Sequence, residues 1–196
     1  MSQISVDSVI PQSGTTVTLG ASGDTINIPS GVTMTNSGTA SGFGKVLQVV
    51  QTYKTDTSST TSTSFTDVSG FSANITPAST SNKILVLVTI GGMGAAGLSQ
   101  AYFRLDRNGS VVGVGDAAGN RKQVSGASIY STDGNTMATT AFNYLDSPST
   151  TSSLTYKIQF SADAGGTIYV NRSNNDGNIT TRGRGTSSIT LMEIAG

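Results

Sequence analysis

The sequence predicts an all-β protein, with a short N-terminal β-rich stem and a C-terminal β-sandwich of jelly-roll type. Three observations support this fold class. About ten apolar segments recur at intervals of roughly ten to fifteen residues, separated by turn-forming residues. No segment holds the 3.6-residue periodicity of a helix for more than one turn. The 196-residue chain is only 11% charged and 35% hydrophobic, and much of the rest is Ser and Thr, which suit the outward faces of strands.

The stem is predicted over residues 13–44. It contains three alternating apolar pairs separated by Gly, Ser, Asp, Thr and Pro, which are Val17 and Leu19, Ile26 and Ile28, and Val32 and Met34. Ordering a nine-residue unit costs roughly 9–18 kcal/mol of backbone entropy, whereas two buried aliphatic side chains return roughly 3–6 kcal/mol. Each unit therefore needs neighbouring rungs or chains, as in stacked and intertwined fibres. The alternative is a flexible arm rich in Gly, Ser and Thr.

The head is predicted over residues 45–196. KVLQVVQTYK begins it as a strand, and FTDVSGFSANITP follows as a strand in which Gly70 indicates a bulge. KILVLVTIGG has apolar residues on both faces, which is typical of a strand buried at the centre of a sandwich. AYFRLDRNGSVVGVG contains Asn108-Gly109 between two apolar runs and predicts a tight hairpin. Five further strands are predicted in SGASIYS, TMATTAFNYLDSP, SLTYKIQFSAD, GTIYVNRS and SSITLMEIAG.

Composition excludes several classes of function. The formal net charge is zero, so we expect no nucleic-acid partner. No apolar run approaches the roughly 20 residues that span a bilayer, and we expect no membrane insertion. The N-terminal MSQISVDSVIPQSG lacks a basic segment followed by an apolar one, so we expect no secretory signal. The chain has no cysteine, and stability must therefore come from packing and assembly.

Several phrases of the chain resemble tail-fibre and related virion proteins of bacteriophages, particularly marine and cyanobacterial ones. The resemblance lies in LGASGDTINIPSGVTMTNSGTA of the stem and in three phrases of the head, KVLQVVQTYKTDTSSTTSTSFTDVSGFSANITPASTSNKILVLVTI, TTSSLTYKIQFSADAGGTIYVNRS and SSITLMEI. It implies a homotrimer whose heads are similar to the C1q/TNF-type jelly roll.

A trimer would raise the local concentration of the three stems and let them associate. We then expect the stem residues Val17, Leu19, Ile26, Ile28, Val32 and Met34 to face a shared axis. Residues 1–12 would be the virion anchor, in which four apolar residues could add a strand to the sheet edge of another virion protein. These residues are Ile4, Val6, Val9 and Ile10.

The sequence favours a protein without catalytic activity. It has no histidine and no cysteine, which removes the usual nucleophilic triads and zinc ligands, and we expect no cofactor and no metal. A glycan hydrolase would need two carboxylates, and remains a less favoured alternative. Its five candidates occur in turn-like sequences where Asp commonly bonds its own backbone, namely Asp106, Asp116, Asp133, Asp163 and Asp176.

Three polar stretches are candidates for recognition, because aromatic and arginine side chains in loops are common in binding surfaces. The first, GDAAGNRKQ, contains Arg121 and Lys122. The second, NRSNNDGNITTRGRG, contains Arg172, Arg182 and Arg184. The third, SQAYFRLDR, places Tyr102 beside Arg104 and Arg107. The alternative interpretation is that these are solvated loop charges.

Together these features predict a noncatalytic virion protein, a short homotrimeric fibre whose head binds a partner or the host surface, through a glycan or a protein. Such a protein would be assembled in the host cytoplasm, and its N-terminus would contact other virion proteins. The alternative is a capsid decoration protein, or head fibre, that stabilises the shell without binding a receptor.

Overall fold

The structure of the protein, a computed structural model, describes residues 9–38, 46–96, 99–127, 134–163 and 165–196. The chain divides into two units, Met1–Phe43 and Gly44–Gly196. The described part of the second unit, the head, contains eleven strands and no helix. The strands are β1 Val46–Lys54, β2 Ser58–Thr60, β3 Thr66–Ile75, β4 Lys83–Ala95, β5 Ala101–Arg107, β6 Ser110–Val112, β7 Gly126–Ala127, β8 Ala138–Asp146, β9 Leu154–Ala162, β10 Ile168–Val170 and β11 Ser187–Ile194.

The described stem residues, within 9–38, form no strand. Backbone hydrogen bonds close two turns, from the N–H of Asp24 to the carbonyl of Ala21 at 3.0 Å and from Val32 to Pro29 at 3.2 Å. A glycine with positive φ, +95° and +84° respectively, takes the third position of each turn, as a type II turn requires. The predicted three-residue strands are thus absent from a single chain. The physical reason is that so short a strand has no partner with which to exchange backbone hydrogen bonds.

The head is a sandwich of two antiparallel sheets. In the first sheet the order is β1, β11, β4 and β8. Met93 of β4 pairs with β8 on one side and with β10 on the other. β10 therefore lies in line with β11, on the same side of β4, and we call strands that share one position in the sheet a column. β2 pairs with β10 and extends the column of β1. In the second sheet the order is β3, β9 and β5, and both β6 and β7 pair with the free side of β5. Each sheet therefore has four columns.

The hydrophobic core lies between the two sheets. Alternate residues of each long strand point inward, and Phe71, Phe103, Ile84, Ile158 and Leu191 are all at most 1% exposed. The sequence alternation of β3, β5, β9 and β11 matches this burial pattern. The all-β fold class and the sandwich predicted from the sequence are therefore confirmed.

Strand β4 departs from its prediction on one face. Its inward residues, such as Ile84 and Val86, are fully buried, but Leu87 is 39% exposed and Leu85 is only half-buried. The strand is central in its sheet, since β11 and β8 pair on its two sides. The prediction that both of its faces are buried is wrong for a single chain, because no described residue of the head covers the outward face.

The second sheet has two irregularities that the local sequence predicts, the hairpin between β5 and β6 and the bulge in β3. Asn108 and Gly109 have φ of +49° and +87°, which is the geometry of the type I′ hairpin that Asn-Gly favours. The carboxylate of Asp106 accepts a hydrogen bond from the N–H of Gly109 at 2.9 Å. The register of β3 against β9 shifts between Asp67 and Ser72, around the bulge that the sequence predicted.

A buried ion pair joins the two sheets. Arg107 of β5 donates to both carboxylate oxygens of Asp146 of β8, at 2.8 and 2.6 Å. The hydroxyl of Tyr156 in β9 donates to the same carboxylate at 2.6 Å. Burial, and then the hydrogen bond to Asp146, raises the pKa of Tyr156, so this hydroxyl keeps its proton. The two buried groups, the Asp146 carboxylate and the Tyr156 hydroxyl, thus have charged or hydrogen-bonding partners, whereas Arg107 stays partly exposed, and the network can remain in the core.

A second buried carboxylate, Glu193 of β11, fixes the end of the chain. Asn82 donates to it at 2.6 Å and the N–H of Ala78 at 2.7 Å, and Gln48 donates to its other oxygen. Burial acts to raise the pKa of Glu193, but the hydrogen bonds from Asn82, Gln48 and Ala78 outweigh it, and the pKa is lowered. The carboxylate therefore stays charged and ties the 76–82 connection to the final strand.

Candidate functional site

The longer connections of the head meet at one end. Val46, at the start of β1, pairs with Ile194, whereas Lys54 at its other end pairs with Ser187. The described residues of the connections that follow β2, β4, β6, β7, β9 and β10 lie toward the Lys54 end, which we call the distal end. The five candidate recognition residues of the sequence lie there, on the connections 113–125 and 171–186. They are Arg121, Lys122, Arg172, Arg182 and Arg184.

A cleft of about 590 Å³ opens at the distal end of the second sheet. Residues from four separate segments line it, which are Thr63, Tyr102, Asn120, Arg121, Lys122 and Asp163. We call it the Tyr102 cleft. Its volume falls within the roughly 300–1,000 Å³ of small-molecule sites. The fold thus brings together Tyr102, Arg121 and Lys122, which the sequence placed in two separate candidate stretches.

Lys122 is the structural anchor of this cleft. Its ammonium donates to the carbonyls of Thr63 and Ala162, at 2.7 and 2.9 Å, and to the hydroxyl of Ser161 at 3.0 Å. It also lies 5.1 Å from the centroid of the Tyr102 ring. Burial lowers the pKa of Lys122, and the charge of Asp163 partly opposes this change. All three ammonium protons are engaged, so Lys122 holds its loop in place.

Hydrogen bonds also join the two ends of the 113–125 connection, which we call its neck. The N–H of Gly115 donates to the carbonyl of Val124 at 3.2 Å, and the side chain of Gln123 donates to the carbonyl of Gly115 at 2.8 Å. Arg121 lies between these two ends of the connection. Its guanidinium donates one described hydrogen bond, a long one of 3.3 Å, to the carbonyl of Ala118. Most of its guanidinium N–H groups therefore remain for a ligand.

A second, smaller cleft of about 290 Å³ lies in the 171–186 connection. Asp176 bridges two arginines here, with Arg172 and Arg184 each 2.8 Å from its carboxylate. Arg172 also lies 4.1 Å from the centroid of the Tyr169 ring. The charges of these two arginines are thus largely satisfied within the loop. Arg182 lines the same cleft, and the one described hydrogen bond of its side chain goes to the neighbouring hydroxyl of Thr181 at 3.3 Å.

The outward face of the first sheet carries an apolar row. The register places Val49, Met192, Leu85 and Leu145 in one row across its four columns. The next row adds Leu87, beside the polar Gln51, Thr190 and Asn143, and the row after that adds Tyr53. Val49, Leu145, Leu87 and Tyr53 are 55%, 50%, 39% and 60% exposed, and a groove of about 320 Å³ runs along Leu87 between β4 and β8. The surface that we call the outer apolar face consists of Val49, Met192, Leu85, Leu145, Leu87 and Tyr53.

The outward face of the second sheet is different, because its polar side chains bind one another. Asp67 accepts hydrogen bonds from Lys157 at 2.8 Å and from Gln159 at 2.7 Å, and Arg104 donates to Gln159 at 2.8 Å. The hydrogen bonds from Lys157 and Gln159 lower the pKa of Asp67. This face suits contact with water, whereas the outer apolar face is the kind of contiguous patch that marks an interaction surface.

The chain matches no protein-family model, and no curated protein has significant sequence similarity to it. Within the described ranges, no helix is long and apolar enough to cross a membrane. The same part of the chain contains no group of three or more Asp, Glu, His or Cys residues that could hold a metal.

The candidate carboxylates of a hydrolase are in part engaged in local structure. Asp106 is buried and holds the hairpin, Asp163 accepts the N–H of Gln100 at 3.0 Å, and Asp176 binds two arginines. Asp116 lies exposed in the 113–125 connection, and Asp133 lies outside the described residues.

Two of the four predicted anchor residues, Ile4 and Val6, lie outside the described residues. The other two, Val9 and Ile10, are 62% and 79% exposed. The six predicted stem-axis residues are likewise 40–64% exposed in the single chain. Their function as an anchor and as a trimer axis stays a prediction.

The sequence interpretation missed the outer apolar face. Its signal was present, since KILVLVTI has apolar residues at inward and outward positions alike. We assigned both sets to the core of one chain. Apolar outward residues on neighbouring strands, Val49 and Leu145 in particular, would have indicated a surface instead.

Proposed function

We propose that the protein is a noncatalytic structural component of a bacteriophage virion, a short homotrimeric fibre whose head binds a partner or the host surface. The observation that carries this proposal is the outer apolar face. Leaving a row of valine, methionine and leucine side chains across a whole sheet in contact with water is costly. Covering the face with further copies of the chain removes that cost.

The strand order supports a jelly-roll head. Counting β1 with β2, β6 with β7 and β10 with β11 as single positions gives eight positions along the chain. The first sheet then has the order 1-8-3-6 and the second the order 2-7-4-5. This order of two four-stranded antiparallel sheets supports the proposal of a jelly roll, an architecture common in viral capsid proteins.

A threefold ring of heads would also supply the contacts that the stem needs, since ordering the stem of a single chain is unfavourable in free energy. Head-to-tail contacts around a closed ring use two different patches of each head, and they bring three stems close together. Association of the stems is then effectively intramolecular. The exposed pairs, from Val17 and Leu19 to Val32 and Met34, gain both apolar contacts and partners for backbone hydrogen bonds.

The first test is the mass of the purified full-length protein in solution, measured by light scattering. Three copies of the 19.9 kDa chain give about 60 kDa, and one copy gives about 20 kDa. We expect the trimer. A monomer at micromolar concentration would contradict the proposal.

The second test is the location of the protein on virions, measured by immunogold labelling. Label at the tail is the expected result for a fibre that binds the host. Label spread over the capsid shell, together with shells that break more easily without the protein, would replace this proposal by the decoration alternative.

A further inference from the structure

We infer that the Tyr102 cleft binds an acidic saccharide, one that carries a carboxylate such as a uronic acid, and that Arg121 pairs with this carboxylate. The inference rests on the proposed binding function of the head and names the ligand class of one site within it. It is carried by the groups of the cleft whose hydrogen-bonding capacity the described residues leave partly unused.

Four groups of the cleft have unused hydrogen-bonding capacity. Arg121 makes one long hydrogen bond to Ala118, which leaves its planar set of donors open. Asp163 uses one carboxylate oxygen for the N–H of Gln100, and the other oxygen can accept from a hydroxyl. The side chains of Asn120 and Thr63 line the same space and can both donate and accept.

The residues that line the cleft carry a net positive charge, which favours an anionic ligand. Arg121 and Lys122 are positive and Asp163 is negative, which leaves one net positive charge. Lys122 is committed to three acceptors of its own chain, so the charge available to a ligand is that of Arg121. A guanidinium pairs with a carboxylate through two parallel hydrogen bonds.

The remaining groups favour a saccharide over an acidic peptide. A carboxylate-rich peptide would place a second negative charge near Asp163, and its side chains carry no donor for that oxygen. A sugar carries several hydroxyls, each a donor and an acceptor, which match Asp163, Asn120 and Thr63. The ring of Tyr102, fixed by its hydrogen bond to Gln100 at 2.7 Å, offers an apolar wall to the C–H groups of a pyranose.

The 171–186 cleft provides the matched control. Its arginines 172 and 184 are bound by Asp176, and Arg182 lines a space that contains no aromatic ring. Arg182→Gln removes the same charge as Arg121→Gln from the same end of the head. The two variants therefore separate a specific pairing from a general loss of positive charge.

The experiment is calorimetric titration of the full-length protein with trigalacturonate, alginate trisaccharide and sialyllactose, and with galactotriose, mannotriose and lactose as neutral counterparts. At least one acidic sugar should bind about tenfold or more tightly than its neutral counterpart. Arg121→Gln should remove that preference, a loss expected for one charge-assisted pair, and Arg182→Gln should retain it. Equal binding of acidic and neutral sugars, or an unchanged preference in Arg121→Gln, would overturn the inference.

Adsorption of the purified protein to host cells separates this inference from the proposed function. A trimer that adsorbs to cells but binds none of the acidic sugars overturns the saccharide inference alone. A protein that is monomeric and does not adsorb overturns the proposed function, whatever it binds in the calorimeter.

Discussion

Replacing Leu145 by glutamate is expected to dissociate the proposed trimer. Leu145 is 50% exposed and lies in the row that runs from Val49 through Met192 and Leu85. Full burial of a leucine stabilises by roughly 1.5–3 kcal/mol, so covering the exposed half of Leu145 contributes about 1 kcal/mol per copy. Glutamate loses this gain and adds the desolvation of a charge, on the order of 3 kcal/mol per ion. Three copies weaken the assembly by roughly 10 kcal/mol in all.

The assay is light scattering at micromolar concentration, with circular dichroism to check the fold. The wild type should have a mass near 60 kDa and Leu145→Glu a mass near 20 kDa, with an unchanged strand spectrum because the side chain points away from the core. The control is Asn74→Glu, an exposed position of β3 in the second sheet, which should remain trimeric. A trimer of unchanged mass and thermal stability in Leu145→Glu would refute the assignment of the outer apolar face.

Three further predictions concern the buried network, the pH dependence and the N-terminus. Tyr156→Phe removes one hydrogen bond to the Asp146 carboxylate and should lower the free energy of unfolding by about 1.5–3 kcal/mol, measured by urea denaturation. The pKa of Glu193 is lowered in the folded state, so its contribution to stability is complete above the ordinary glutamate value of roughly 4.3 and is lost as the pH falls through the lower folded value. Glu193→Gln should therefore be less stable than wild type at pH 7 and should lose less stability between pH 5 and pH 3. Deletion of residues 1–11 should abolish incorporation into particles and leave the strand spectrum of the head intact.

Each of these predictions has an outcome that would contradict it. Equal urea midpoints for Tyr156→Phe and wild type would mean that the short contact to Asp146 adds no stability. If Glu193→Gln lost as much stability between pH 5 and pH 3 as wild type does, the loss would have to come from other carboxylates, such as Asp67. Normal loading of the truncated protein onto virions would remove the anchor function from Val9 and Ile10.

The sequence predicted what depends on neighbouring residues. Asn108-Gly109 encodes its hairpin because both residues tolerate positive φ, and the alternation of β9 and β11 encodes which side chains face the core. What it did not predict depends on residues far apart in the chain. Lys122 reaches Ala162 across 40 residues, and no local pattern indicates that contact.

The outward residues of β4 show a different limit. Sequence periodicity reports that Leu85 and Leu87 are apolar, but it carries no information on whether the same chain or another copy covers them. For the same reason the stem pairs read as strands in the sequence yet form none in one chain. In the proposed trimer both ambiguities have one cause, since the partners that these residues need belong to other copies of the chain.

The closed neck of the 113–125 connection has a consequence for how this protein can change over time. The backbone bond between Gly115 and Val124 and the anchoring of Lys122 leave residues 116–121 as a tip whose ends are already held together. Lengthening such a tip costs little, since doubling a loop adds only about 0.6 kcal/mol of closure entropy. Mutations and insertions there can alter what the Tyr102 cleft binds and leave the sandwich intact. Under the inferred binding function of this cleft, binding preference and folding are encoded in separable parts of the head, so one can diversify rapidly under selection as the other stays constant.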